Sequence, residues 1–144
     1  GDDSHSRMIT ETEAYVGPHD LASHAARGRT KRTEVMFGEP GTLYLYLVYG
    51  MHWMLNVVTG PVDYPAAVLV RAVQGINGPA RLTKAMGVTG SLNGKLADED
   101  NSVWFSEGTR PLRNEIIRSA RIGVDYAGSI WSIKPLRFNL NRNA

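Results

Sequence analysis

The chain contains no cysteine. Disulfide frameworks and thiolate metal centres are therefore excluded, and a reducing compartment is permitted. No apolar run is long enough to cross a bilayer and no secretory signal pattern is present, so a soluble protein with no membrane attachment is expected. A strong charge of one sign is also missing. The net charge is +2 and the pI about 9.1, which favours an anionic partner only slightly, because the distribution of charge matters more than its sum. GxGxxG, P-loop, HExxH and GxSxG patterns are absent, which leaves nucleotide-binding, zincin and serine-hydrolase chemistry without an anchor. Internal repeats and low-complexity tracts are missing as well.

The 144 residues are 42% hydrophobic, enough for one compact domain spanning 1–144 with its own core. Residues 40–58, PGTLYLYLVYGMHWMLNVV, carry the plainest pattern. Thr42, Tyr44, Tyr46 and Val48 alternate with Leu43, Leu45 and Leu47, the period of a strand, and Gly50 interrupts the run. With Tyr49-Gly50-Met51 at the tip, Val48 pairs with His52, Tyr46 with Met54 and Tyr44 with Asn56. Opposed side chains share a face. This predicts a hairpin whose core-facing wall is Leu43, Leu45, Leu47, Trp53, Leu55 and Val57, with Tyr44, Tyr46 and Asn56 together on the other face. Tyr49 and Met51 project from the tip.

Residues 1–6 are polar and read as a frayed end. Residues 7–15, RMITETEAY, read as a strand with Ile9, Glu11, Glu13 and Tyr15 on one face. The two carboxylates would lie about 7 Å apart. They are either exposed at a sheet edge or functional. Residues 16–39 read as a loop, with Gly17-Pro18 a turn signal and a short helical turn possible toward His24. His19, Asp20 and His24 are metal-ligand types, but they lack a fourth partner at a recognisable spacing, and no metal is expected. Arg27, Arg29, Lys31 and Arg32 place four cations within six residues, either a solvated loop or a phosphate-backbone contact.

Residues 66–73, AAVLVRAV, read as a buried strand in which Arg71 must be paired or face a polar cleft, since an unpaired buried guanidinium is too costly. A structural salt bridge and a site role both fit. Gly78-Pro79 opens a helix over 80–86 that Gly87 closes. Residues 91–101 form a polar loop whose Asp98-Glu99-Asp100 cluster would repel phosphates. Residues 103–105 and 136–140 read as strands, and 115–124 as helix or strand. The fold class expected is α+β, a mostly antiparallel, curved sheet with a protruding hairpin and few helices.

Taken together, TETEAYVGPHDLASHAARGRT, VMFGEPGTLYLYLVYGMHWMLNVV, AAVLVRAV, NGPARLTKAMGV and ARIGVDYAG with KPLRF resemble the alkyladenine (3-methyladenine) DNA glycosylase family, over nearly the whole chain and in the family's order. The resemblance implies a repair enzyme that flips an alkylated or deaminated purine (3-methyladenine, 7-methylguanine, hypoxanthine or ethenoadenine) out of duplex DNA and hydrolyses its N-glycosidic bond. By position, Glu13 matches the catalytic glutamate, and Arg71 with the main-chain carbonyl near Ile122 matches the rest of the water-holding set. Tyr15 and Tyr46 match the aromatic walls of the base pocket, His24 completes it, and the backbone near Ala22 and His24 matches the segment that meets the base edge. Asn56 matches the pocket-floor residue that crowds guanine. Tyr49 matches the tip residue that fills the gap in the stack, with Met51 and His52 beside it at the minor groove, His52 standing where an aromatic is frequent. Arg27, Arg29, Lys31 and Arg32 are then phosphate contacts.

No lysine replaces Glu13 as a nucleophile, so a monofunctional hydrolase is expected. It would need no cofactor, act as a monomer on double-stranded DNA containing damaged purines, and reside in the cytoplasm, with the nucleoid if bacterial. The family also implies an N-terminal segment ahead of the ETEAY strand, which is expected to be either lost here or outside the sequence given, and a longer excursion where 74–78 joins strand to helix directly. Two other classes remain. One is a non-catalytic nucleic-acid-binding domain of the same fold. The other is a sugar hydrolase using Glu11 and Glu13, disfavoured because carboxylates on one strand face the same way instead of flanking a bond.

Overall fold

The computed structural model describes residues 6–141, so all but the last residue of the frayed end expected at 1–6 lies outside the described residues. The hairpin forms as its alternation requires. β2 (Leu43–Val48) and β3 (His52–Val58) pair in the expected register, with Tyr44 opposite Asn56, Tyr46 opposite Met54 and Val48 opposite His52. Tyr49 and Gly50 both turn through positive φ, 53° and 66°, in the manner of the tight turns that match the twist of the flanking strands. The Met51 N–H closes the turn on the Val48 carbonyl at 3.2 Å.

Five further strands complete one antiparallel sheet among the described residues: β1 (Ile9–Tyr15), β4 (Ala67–Val73), β5 (Ile76–Asn77), β6 (Ile116–Ser119) and β7 (Arg137–Leu140). Their order is β2-β3-β4-β1-β7-β6, with β5 folded back on β4. The direct connection after β4 is a tight turn at Gln74-Gly75, with Val73 paired to Ile76. α1 (Pro79–Met86) begins with proline at its first turn and ends on Gly87 in the left-handed conformation. Both ends follow from chemistry: proline lacks only an amide that would be unpaired there, and glycine accepts the positive φ without strain. The Thr83 hydroxyl ties this helix to β3 through the Trp53 carbonyl at 2.9 Å. A short second helix, α2 (Gly128–Trp131), precedes β7.

Both faces of the sheet are covered at β2, β3 and β4. On one, Leu43, Leu45, Leu55, Val70 and Val73 pack with Leu82 and Val88 from and beyond α1. On the other, the loop of residues 16–39, which contains 3-10 turns at His24–Arg27 and Glu34–Phe37, buries Tyr44 with Ala25, Met36 and Ala67. The predicted wall is therefore half right. Leu47 is exposed, because it lies toward the tip beyond the cover of the helix, while Tyr44 and Asn56 on the opposite face are fully buried. The strand expected at 103–105 does not form. Val103 makes only an isolated bridge to Asp98, since Ser102 turns the chain back through φ 66°. Residues 115–124 resolve as β6 followed by turns.

Candidate active site

One register row crosses the sheet. Tyr44 on β2 faces Asn56 on β3, Asn56 faces Leu69 on β4, Leu69 faces Glu13 on β1, and Glu13 faces Arg137 on β7. Paired residues share a face, so this row forms a floor with the loop of residues 16–39 above it. The row corrects one expectation: β1 lies between β4 and β7, so neither glutamate stands at a sheet edge.

Glu13 has no solvent exposure. A carboxylate so placed must be paired, because desolvating a lone charge costs several kcal/mol. Its Oε2 accepts the Ile122 N–H at 2.7 Å, its Oε1 accepts the Tyr15 hydroxyl at 3.0 Å, and Arg71 Nη1 lies 3.8 Å from Oε2. Arg71 is thus ion-paired, as the cost of burying it requires, and the same guanidinium approaches Glu13. Ile122 meets Glu13 through its amide.

Tyr15 stands beside this carboxylate, and burial, then the charge of Glu13, raises its phenol well above the ordinary tyrosine value. Across from it, His24 and Tyr46 meet edge to face at 4.5 Å, and His24 Nδ1 lies 3.1 Å from the Tyr44 hydroxyl. Burial, and secondarily Arg32, lowers His24 below its usual 6.5, so the imidazole is neutral at pH 7. Tyr46 is pushed up to about 12 by burial, with Tyr44 and Glu13 adding to the effect. Glu13 and Tyr46 both add to the cost of ionising Tyr15, and Glu13 adds to that of Tyr46, so the three side chains lie within electrostatic reach of one another.

The 16–23 segment is held by Asp20, which is completely buried. Its carboxylate accepts the Val16 and Ala22 amides at 3.1 and 3.0 Å and both amino groups of Arg121 at 2.6 and 2.9 Å. Arg121 also donates to the Ala14 carbonyl at 2.9 Å. The Ala22 carbonyl accepts the Tyr126 hydroxyl at 2.7 Å. Both polar backbone groups of Ala22 are therefore engaged within the protein. Asn56 lies on the floor with its amide nitrogen donating to the Tyr44 carbonyl at 3.2 Å.

Other predicted residues stand apart from this centre. Tyr49, Met51 and His52 are exposed at the hairpin tip, Tyr49 at 89%. Of the basic loop, Arg27 and Lys31 are exposed, Arg29 is paired with Asp63 and lies over Phe37, and Arg32 stacks over Tyr46 at 5.5 Å. His19, Asp20 and His24 do not converge: His19 packs on Trp131, Asp20 is taken by Arg121, and His24 faces Tyr44 and Tyr46. Two clefts, of about 310 and 270 Å³, open beside β2 and over β1 and β7, and neither is lined by Glu13 or Tyr15.

Sequence reasoning gave no role to Arg121, Tyr126 or Arg137. Arg121 sits in SARIGV among apolar neighbours, and the burial argument applied to Arg71 would have flagged it. Nothing in the sequence pointed to Asp20 as its partner.

The chain matches the family model described as methylpurine-DNA glycosylase over residues 2–76 and 73–144, the break falling at the tight β4–β5 turn. Among curated relatives, a Myxococcus xanthus protein is 48% identical over 90% of this chain and 70% of its own length. A Methanocella arvoryzae protein is 41% identical over 90% of this chain and 74% of its own length. One from Legionella pneumophila is 43% identical over 94% and 76%. All three are provisionally named as 3-methyladenine DNA glycosylases.

Proposed function

The chain belongs to the methylpurine-DNA glycosylase family, and from that premise we propose that it releases alkylated or deaminated purines from duplex DNA by hydrolysis at Glu13. The observation that carries this reading is the buried Glu13 carboxylate, held by Tyr15, Ile122 and Arg71. A simple binding domain has no use for a desolvated carboxylate beside phosphates.

A base stacked in the duplex is out of reach, so the nucleotide must leave the helix. Tyr49 at the exposed tip acts as the wedge that fills the gap, offsetting an unstacking cost of roughly a few kcal/mol. The base enters between Tyr15 and the His24–Tyr46 wall, where each stacking contact is worth about 1–3 kcal/mol. A neutral His24 spares an alkylated, cationic purine a repulsive neighbour. Glu13 orients a water and takes its proton as the oxygen bonds to C1′ and the C1′–N bond to the base breaks. Its charge favours the oxocarbenium character that develops on the sugar. Cationic purines depart unaided. A neutral base such as hypoxanthine must gain a proton as it leaves. With water as nucleophile the product is an abasic site and no strand break. Arg27, Arg29, Lys31 and Arg32 supply phosphate contacts from the loop above the floor.

The deciding experiment is single-turnover base release from duplexes holding one hypoxanthine or one 3-methyladenine, with wild type and Glu13→Gln. Release by wild type alone, leaving a site that breaks only in alkali, is the expected result. Tight binding of the damaged duplex with no release by either would leave a non-catalytic DNA-binding domain.

A further inference from the structure

Glu11 has no part in the chemistry above, yet it touches more charge than any other carboxylate near the site. Its Oε2 accepts Arg71 Nε at 3.0 Å and Arg137 Nη1 at 3.1 Å. The arrangement originates in the sheet. The β1–β4 register has Ile9 opposite Val73 and Thr12 opposite Val70, but slips at Glu11, which faces Ala72. Arg71 is thereby left without a ladder partner on β1. Such irregularities re-aim side chains, and they cluster beside active sites. On the other side of β1, Arg137 pairs with Glu13 in the β7 register but sends its guanidinium along the face to Glu11.

We propose that Glu11 is a positioning residue: it grips Arg71 by Nε so that the same guanidinium presents Nη1 to Glu13, while Arg137 neutralises Glu11. This rests on the hydrolytic reading of Glu13. The two carboxylates and two guanidiniums sum to zero charge, so the clamp aims Arg71 without loading the site with net charge. It also separates the two glutamates. Glu11 spends one oxygen on two cations, whereas Glu13 takes its short contacts from a neutral amide and a phenol and meets Arg71 only at 3.8 Å. Glu13 keeps the capacity to accept a proton from water, and Glu11 serves as the anchor.

The charged and titratable groups that face Glu13 are Glu11 and Tyr15 from β1, Arg71 from β4, Arg137 from β7, Tyr46 from β2 and Tyr126 from the turn after β6. Changing Glu11 to Gln removes one anion from this set and frees Arg71 to swing. Single-turnover base release should fall about 10- to 100-fold, the usual consequence of a displacement near 1 Å at a reacting centre. Affinity for the damaged duplex should change less than about twofold. Glu11→Asp keeps the charge but shortens the arm, so it should lower the rate less than Glu11→Gln does. It also serves if Glu11→Gln does not fold.

A second readout is independent of catalysis. The Arg71 Nε–H resonance in ¹⁵N spectra should be protected from exchange in wild type and lose that protection in Glu11→Gln. An unchanged rate, or a loss of rate that follows melting temperature with Arg71 protection intact, would overturn the proposal. Wild type that releases no base, with Arg71 protection still lost in Glu11→Gln, would sink the hydrolytic reading and leave the clamp standing. Protection that survives in Glu11→Gln sinks the clamp itself.

Discussion

Arg121 lies with its guanidinium over the ring of Tyr15, 4.8 Å from the centroid, and backs that ring with a buried charge. The same guanidinium grips Asp20, which in turn holds the Val16 and Ala22 amides. One ion pair therefore fixes the ring of Tyr15 and the segment running up to His24. Among the described residues, both partners are sealed from solvent.

Breaking that pair from one side leaves an uncompensated buried charge. Arg121→Met and Asp20→Ala should each destabilise the fold by about 3–5 kcal/mol, measured by urea denaturation. The double variant should lose clearly less than the sum, because neither charge then remains alone. Additive losses would mean that the pair is not the unit holding the loop.

The hairpin and α1 were legible because their signals are local. Alternation fixes which residues share a face, Gly50 marks the turn, and Gly78-Pro79 with Gly87 brackets the helix. The need of Arg71 for a partner was legible too, from the cost of burying it. Its partner lies 60 residues away, and the Asp20–Arg121 pair spans 101. Pairings at that range depend on the order of strands, which no local pattern encodes. The reading of Glu11 and Glu13 at an edge failed for this reason: β7, contributed by Arg137–Leu140, closes over the flank of β1 that looked open. The burial of Tyr44 and Asn56 was not legible, because nothing in residues 16–39 announces that the loop folds over that face of the hairpin.

His24 makes stability depend on mild acid. Burial, and then Arg32, holds its folded value below 6.5, so as pH falls through 6.5 the unfolded chain takes up a proton that the folded chain refuses. The stability tied to neutral His24 is complete above that pH and is lost as pH falls toward the folded value. Urea midpoints should therefore decline from pH 7.5 to 5.5 in wild type. His24→Gln, which cannot titrate, should show a flatter profile over that range. Equal slopes for the two proteins would remove His24 as the source.

Tyr49 is strained as well as exposed. It adopts φ 53° at 89% exposure, with no packing that demands a tyrosine there. A left-handed residue bearing a Cβ costs about 1–2 kcal/mol relative to glycine, partly offset by the greater freedom glycine has when unfolded. Tyr49→Gly should therefore leave stability unchanged or slightly raised, within about 1 kcal/mol by urea denaturation. If the ring is the wedge that holds the gap in the stack, the same change should weaken binding to a lesion-bearing duplex by about 10- to 100-fold, the equivalent of one stacking contact. Single-turnover release should fall with it, while the structure around Glu13, far down the strands from the tip, stays intact. A variant with improved stability and failed lesion binding would show that the strain is retained for DNA. Undiminished binding would take Tyr49 out of the flipping step, and the work of holding the gap would pass to Met51.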